Sequence, residues 1–408
     1  MPSVLPEKGP ARLLAVATLV NMLGYGIYLA AGVLYFTRVV HLPAAQIGLG
    51  LTIAGGAGLA AGIPVGALAD RRGARNVYAV TLLLGAVAMG GLCLAHGFLS
   101  FVLFAALAGA AQTSGPAARS PLIQKYGGER PAEFRGYLRA VTNLGIAGGA
   151  LFAGWGIQVD TRTSYLLLIS GSAVSYAACA VLIMILPAVP TIPAVGGPKW
   201  MALRDRPYLL LTALDGLMAI QYRVLTAAVP LWLIGRTDAP RWSISAVMLV
   251  NTAIVVLFQV RASKRISTLR AGADAFRRAG IAFLLSCVAI SLLPGFPGPL
   301  AVAMLLGAVV VHTIGEIWHA AGGFEVSFLL APPHAIGQYQ GLFGMGLGLG
   351  IAIGPALLIA LCIGWGVPGW WAVGAFFALT GLAVPPAARW AERTRLRNDL
   401  ILADQRAG

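Results

Sequence analysis

Gly66-Ala67-Leu68-Ala69-Asp70-Arg71-Arg72-Gly73-Ala74-Arg75 sets a charged, glycine-closed turn between two long apolar stretches. Such a decamer predicts a tight hairpin between two membrane helices. Gly66 lets two backbones approach closely, and Asp70 can cap or pair at the membrane surface. Gly73 permits the reversal. Arg71, Arg72 and Arg75 hold the loop on the anionic inner side of the bilayer.

Composition points to the same class. The chain is 58% hydrophobic and only 11% charged, with a mean hydropathy of +0.82, outside the range of water-soluble domains. Its 408 residues accommodate about twelve spans of roughly 20 residues, with no room for a large soluble domain. The apolar run after Met1–Arg12 reaches Tyr35, too long for a cleaved signal, so the first helix is expected to stay. Cys93, Cys179, Cys287 and Cys362 all fall inside expected spans and have no metal-ligand spacing, which makes them packing residues.

A net charge of +15 raises the question of a polyanionic partner. With an inside N-terminus and twelve spans, Arg38, Arg162, Arg236 and Arg241 fall outside and Arg223 within a span. All other Lys and Arg lie on or near the inner face. This asymmetry is the positive-inside pattern, and it accounts for the charge without nucleic acid.

The spans are expected to begin near Ala11, Ala44, Asn76, Leu99, Gly136, Ser164, Pro207, Ser243, Ala275, Gly298, Gln338 and Gly369. The resulting organisation is an N-terminal six-helix bundle over residues 1–187, a cytoplasmic linker over 188–206, a C-terminal six-helix bundle over 207–395 and a cytoplasmic tail over 396–408. The linker carries Pro190, Pro193, two glycines and Pro198, then Lys199, Arg204 and Arg206. A faint repeat relates the halves: Gly145 and Gly149 in span five are echoed by Gly350, Gly354 and Pro355 in span eleven. Small residues four apart make close helix contacts, so these glycines are expected to be packing positions.

The decamer resembles the loop signature between the second and third helices of the major facilitator superfamily, G-x-L-a-D-r-x-G-r-R/K. The resemblance implies an all-α membrane protein of twelve helices in two pseudo-symmetric six-helix bundles. It also implies that Asp70 faces the start of span eleven, Gly337-Gln338-Tyr339, and that Asp70, Arg71 and Arg75 set conformational balance. Within the superfamily the chain looks most like bacterial twelve-helix drug and metabolite exporters of the drug:proton antiporter type. Their fifth-helix signature G-x-x-x-G-P is only partly met, because Ala150 replaces the proline after Gly149. Their arginine early in span four is also absent; the first in that span is Arg119, near its inner end.

Ionisable residues inside a bilayer are costly unless paired, hydrated or functional. Asp215 in span seven and Glu316 in span ten are the leading proton-coupling candidates. His312, Glu316 and His319 stand at i, i+4 and i+7, on one helical face along which a proton could pass. The alternative is that Asp215 and Glu316 are static partners of Arg223, of helix ends or of loop arginines. Arg223 could bind an anionic substrate group or act as counter-charge to Asp215, although eight residues of helix separate their backbones by about 12 Å, so that direct pairing would rely on long side chains. A metal on His312, Glu316 and His319 lacks any further ligand and is not expected.

The remaining polar lining is uncharged and aromatic. Asn21, Tyr25 and Tyr28 lie in span one, Gln112 and Thr113 in span four, Asn143 in span five, Gln221 and Tyr222 in span seven, Asn251 in span eight and Trp318 in span ten. Rings with scattered amides suit a partly hydrophobic ligand, although each residue taken singly also fits a helix–helix contact.

No P-loop lysine, no Gly-x-Ser-x-Gly elbow and no nucleophile beside a histidine occurs, so neither catalysis nor a cofactor is expected. The expectation is a secondary transporter in a bacterial cell membrane, with both termini cytoplasmic. The resemblance implies a monomer. It is expected to export small, partly hydrophobic molecules by proton antiport; a proton-coupled or facilitative importer of a small nutrient is the alternative.

Overall fold

The computed structural model describes residues 9–191, 200–240 and 242–407, with backbone alone at 44, 45 and 396–407. Pro193, Gly196, Gly197, Pro198 and Lys199 of the expected linker, Arg241, residues 1–8 and the side chains of the expected tail lie outside the described residues. Among the described residues every regular element is helical. Twelve of these helices are long and apolar enough to cross a membrane.

The first six are α1 (Pro10–Arg38), α2 (Ala44–Arg72), α3 (Ala74–Cys93), α4 (Phe98–Tyr126), α5 (Pro131–Val159) and α6 (Arg162–Ile185). The second six are α7 (Arg206–Arg236), α8 (Trp242–Arg265), α9 (Leu269–Ser291), α10 (Gly298–Leu329), α11 (Ile336–Trp365) and α12 (Val367–Ala407). A single helical turn, Met201–Arg204, precedes α7. Only helices and closed barrels satisfy every backbone polar group in hydrocarbon, so apolar runs of this length become continuous helices. Their outward leucines and aromatics, such as Leu99, Leu151 and Trp155, are exposed on the side that lipid covers.

Two helices begin several residues ahead of the spans expected within them. α5 begins at Pro131 and not near Gly136, and α9 at Leu269 and not near Ala275. Glu133, Arg135, Arg270 and Asp274 therefore lie within helices, ahead of the apolar spans expected there. Helical hydrogen bonding continues past the hydrocarbon, and long charged side chains remain solvated at the interface.

Local chemistry fixes several helix ends. Gly73 closes α2 and opens α3 at φ 95°, a left-handed conformation that a Cβ disfavours. Thr161 and Ser164 form a reciprocal capping box on α6. Thr268 caps α9, and Asp205 caps α7 by accepting from the Tyr208 amide.

By internal packing the chain divides into two compact units, Met1–Gly197 with Pro332–Met345, and Pro198–Ala331 with Gly346–Gly408. In the first unit, a methyl at Gly145 would stand 2.7 Å from Met22 Cβ, and one at Gly149 would run into the Leu23 carbonyl, so α5 and α1 pack backbone to backbone. Phe36 and Phe101 pack with ring centres 4.4 Å apart, and the buried Tyr35 hydroxyl donates to the Leu92 carbonyl at 2.9 Å. In the second unit the echoing glycines do the same work: a methyl at Gly350 would run into the Gly216 carbonyl, and one at Gly354 would stand 3.0 Å from Arg223 Cγ. Trp232 and Trp370 fill its core, with the Trp232 indole donating to the Ile290 carbonyl at 3.0 Å. All four cysteines are free thiols, three of them buried.

Candidate functional site

The second unit gathers buried polar groups around one face of α10. His319 donates from Nε2 to Asp215 Oδ1 on α7 at 3.0 Å, and both side chains are almost fully buried. His312 lies about two turns away on the same face. Its Nε2 faces two acceptors on α7, the Gln221 side-chain oxygen at 3.1 Å and the Gln221 carbonyl at 3.3 Å. Between the two histidines, Glu316 Oε2 accepts from Asn251 Nδ2 on α8 at 2.8 Å, and the same amide reaches Thr313 Oγ1 at 3.1 Å.

Spacing on α10 explains the alignment. Residues four and seven apart return to one helical face, so His312, Glu316 and His319 form a stripe about 10 Å long. α7 answers it with an interruption: Ile220–Arg223 tightens into a 3-10 turn and Val224–Ala228 widens into a π turn. Such irregularities release backbone carbonyls and recur at functional sites. Here the Gln221 carbonyl turns to His312. Aromatic rings close the surroundings, with Tyr222 at 5.7 Å and Phe276 at 5.2 Å from the His319 ring, and Phe283 at 4.9 Å from that of His312.

At Nε2 each histidine faces oxygen atoms, an arrangement that a ring carrying its proton on that nitrogen satisfies. Both Nδ1 atoms are buried without a partner, as are Asp215 Oδ2 and Gln221 Nε2. Buried polar atoms are nearly always hydrogen-bonded, to water or ligand if not to protein.

Arg223 takes no part in this network. Its Nε donates to the Ile351 carbonyl at 3.3 Å, and its stem packs over Gly354. The expected option of Arg223 as counter-charge to Asp215 is thus replaced by His319, which sits directly opposite the carboxylate while Arg223 turns to α11. Trp318 points away from the stripe and packs with Ile266, Ala275 and Ala321.

The first unit carries a milder polar face. Asn21 is buried with Oδ1 unpartnered. The Tyr176 hydroxyl donates to Gln112 Oε1, with Tyr25 and Tyr28 nearby. Thr113 packs against Gly58 of α2, and Asn143 is half-buried on α5. Arg119 donates to Thr18 Oγ1 at 3.0 Å.

The same unit contains a clasp made by the opening decamer. Asp70 accepts from the Gly337 amide at 2.8 Å and the Gln338 amide at 2.9 Å, capping the start of α11 with both carboxylate oxygens. Methyl groups at Gly66 or Gly337 would run into the opposite backbone, so the clasp requires both glycines. Arg135 reinforces it by donating to Gln340, while Arg75 donates to the Leu186 carbonyl at 3.0 Å and Arg71 stays exposed.

Two residues of interest give no clear signal in the sequence. Thr313 shares the Asn251 amide with Glu316, and a threonine in an apolar helix is unremarked by its pattern. Glu325 on α10 is buried beside Gly272 of α9, and it makes no hydrogen bond or ion pair with another described residue. Its place near the end of the span gives it the look of a solvated terminal charge.

A family model described as the Major Facilitator Superfamily matches residues 14–355. Among solved structures, the chain is similar to a bacterial homologue of the iron transporter ferroportin in an outward-facing state. Identity is 15% and the TM-score 0.72, over 94% of this chain and 99% of that one. It is also similar to the human organic anion transporter MFSD10, at 14% identity and a TM-score of 0.61, over 93% of this chain and 99% of that one. The nucleoside transporter NupG matches at 15% identity and a TM-score of 0.57, over 94% of this chain and 100% of that one. Comparison with curated protein sequences gives no match. At these identities the likeness carries the fold.

Proposed function

This chain belongs to the Major Facilitator Superfamily, and from that premise we propose that it is a proton-coupled transporter exporting small, partly hydrophobic molecules. The carrying observation is the buried α10 stripe, with Asp215 against His319 and both histidine Nδ1 atoms open. A proton entering Nδ1 of His319 turns the contact into an imidazolium–carboxylate pair, which changes the charge a bound substrate meets. Exchange of proton for substrate at such a site drives alternating access without ATP.

Aromatic rings beside scattered amides favour a cargo that is partly apolar. The structural neighbours are named for iron, organic anions and nucleosides, so their cargoes point in no common direction. The proposed setting is a bacterial plasma membrane, with a monomer whose two termini face the cytoplasm. The proposed division is residues 1–187 and 207–395 as the two bundles, joined by 188–206, with Asp70 and its clasp setting the balance between conformations.

The test is growth of an efflux-deficient bacterium expressing the chain against a panel of hydrophobic antibiotics and dyes, beside Asp215→Asn and Glu316→Gln forms at equal membrane level. Protection that is lost in either variant, and lost in the parent when an uncoupler collapses the proton gradient, supports the proposal. Protection insensitive to both changes overturns proton coupling. Sensitisation by the parent favours the import reading.

A further inference from the structure

We propose that the charged cleft between the ends of α9 and α12 binds the phosphate headgroup of an anionic phospholipid. The two helices cross closely at Gly280, where an added methyl would stand 2.5 Å from the Phe377 carbonyl, and at Gly381, where it would stand 2.6 Å from the Phe276 carbonyl. Beyond that crossing a cleft of about 530 Å³ opens, with Arg270, Asp274 and Arg277 contributed by α9 and Arg389 and Glu392 by α12.

Ion pairing leaves positive charge over. Asp274 is taken by Arg277 at 3.2 Å. Arg270 and Arg389 have no carboxylate partner among the described residues, against the single unpaired carboxylate of Glu392. Arg270 also stands in the first turn of α9, where the helix presents its positive end. Planar guanidiniums from two helices suit a phosphodiester, whose oxygens they can take in parallel hydrogen bonds.

The rest of the cleft selects a lipid over a soluble anion. Leu382 and Pro385 line it below the arginines, giving an apolar wall that free phosphate would not use but acyl chains would. Its position is at the boundary of hydrocarbon and water, because the α9 span starts at Leu269 and the α12 span ends at Arg395. Trp390, 44% exposed beside Arg389, is the kind of ring that settles at that level. Basic pockets between helix ends at this depth are suited to anionic headgroups.

Purified full-length protein in a neutral detergent would be titrated with dioleoylphosphatidylglycerol, dioleoylphosphatidylcholine or inorganic phosphate. Thermal unfolding and native mass spectrometry of bound lipid would be read. The phosphatidylglycerol should raise Tm and remain bound, and Arg270→Gln with Arg389→Gln should weaken its apparent affinity at least tenfold. Arg130→Gln, a basic site elsewhere, should not. Equal effects of the two lipids, the same effect from inorganic phosphate, or undiminished binding by the double variant would each overturn the proposal. Should the double variant fail to fold, the Arg270→Lys with Arg389→Lys form keeps charge but loses the paired donors. A several-fold loss is expected there, and unchanged affinity would overturn the proposal equally.

Discussion

Asp215 and His319, brought together from α7 and α10, meet at 3.0 Å in the second unit with side-chain exposures of 4% and 1%. Water screens the pair hardly at all, so each partner sets the environment of the other. Removing one partner of a buried pair costs about 3–5 kcal/mol when the group left behind is charged and less when it is neutral. Asp215→Asn and His319→Gln should each lower the unfolding temperature and abolish proton-driven transport. The double variant should recover part of the stability lost in His319→Gln, because it leaves no buried carboxylate without its donor. A double-mutant cycle on Tm checks this, and strict additivity would show that the contact carries no coupling.

Asp70 holds two amides of the α11 start. Loss of a helix cap costs about 1–2 kcal/mol, and about 1.4 kcal/mol corresponds to a tenfold change in equilibrium. Asp70→Ala should therefore accelerate hydrogen exchange at the Gly337 and Gln338 amides roughly tenfold. Mass-spectrometric exchange over the peptide containing them reads the effect directly. Unaltered protection there would mean that the backbone amides find other acceptors.

The echoing glycines should respond alike despite lying in different units. At Gly149 and at Gly350 a methyl would collide with a backbone carbonyl, which a side-chain shift does not relieve. Overpacking of this kind costs about 1–3 kcal/mol, so Gly149→Ala and Gly350→Ala should each lower Tm. Gly307→Ala is the control: a methyl added there would meet nothing within 4 Å, and helix propensity favours alanine by about 1 kcal/mol. It should leave Tm unchanged or raise it slightly.

Replacing Glu325 should increase stability. The residue is 8% exposed, so its carboxyl loses most of its hydration and has no hydrogen-bond or ion-pair partner among the described residues, a cost of up to about 1–3 kcal/mol by mutational measures. Glu325→Leu should raise Tm, while Glu325→Gln should change it little. A fall in Tm with leucine would indicate an ordered water or ion on the carboxylate.

The outline of this protein was legible because membrane insertion is a local property. Whether some twenty consecutive residues are apolar depends on those residues alone, and so does the ability of Gly73 to adopt a positive φ. The helices α5 and α9 begin several residues ahead of the apolar spans read from the sequence, because hydropathy marks where hydrocarbon ends, whereas a helix continues into water under its own hydrogen bonds.

Sequence alone also aligned His312, Glu316 and His319 on one face, since helical periodicity is a property of a single segment. What each member meets was decided by tertiary structure. Asp215 reaches His319 across 104 positions and not Arg223 eight residues along its own helix, because the break in α7 and the packing of Gly354 send Arg223 toward α11. Glu325 became visible as a buried carboxyl without a partner among the described residues only once α9 was seen to pack beside it. Periodicity names the face of a helix; the neighbour that packs against it, brought there by close-approaching glycines and interrupted turns, settles which groups pair and which are left open.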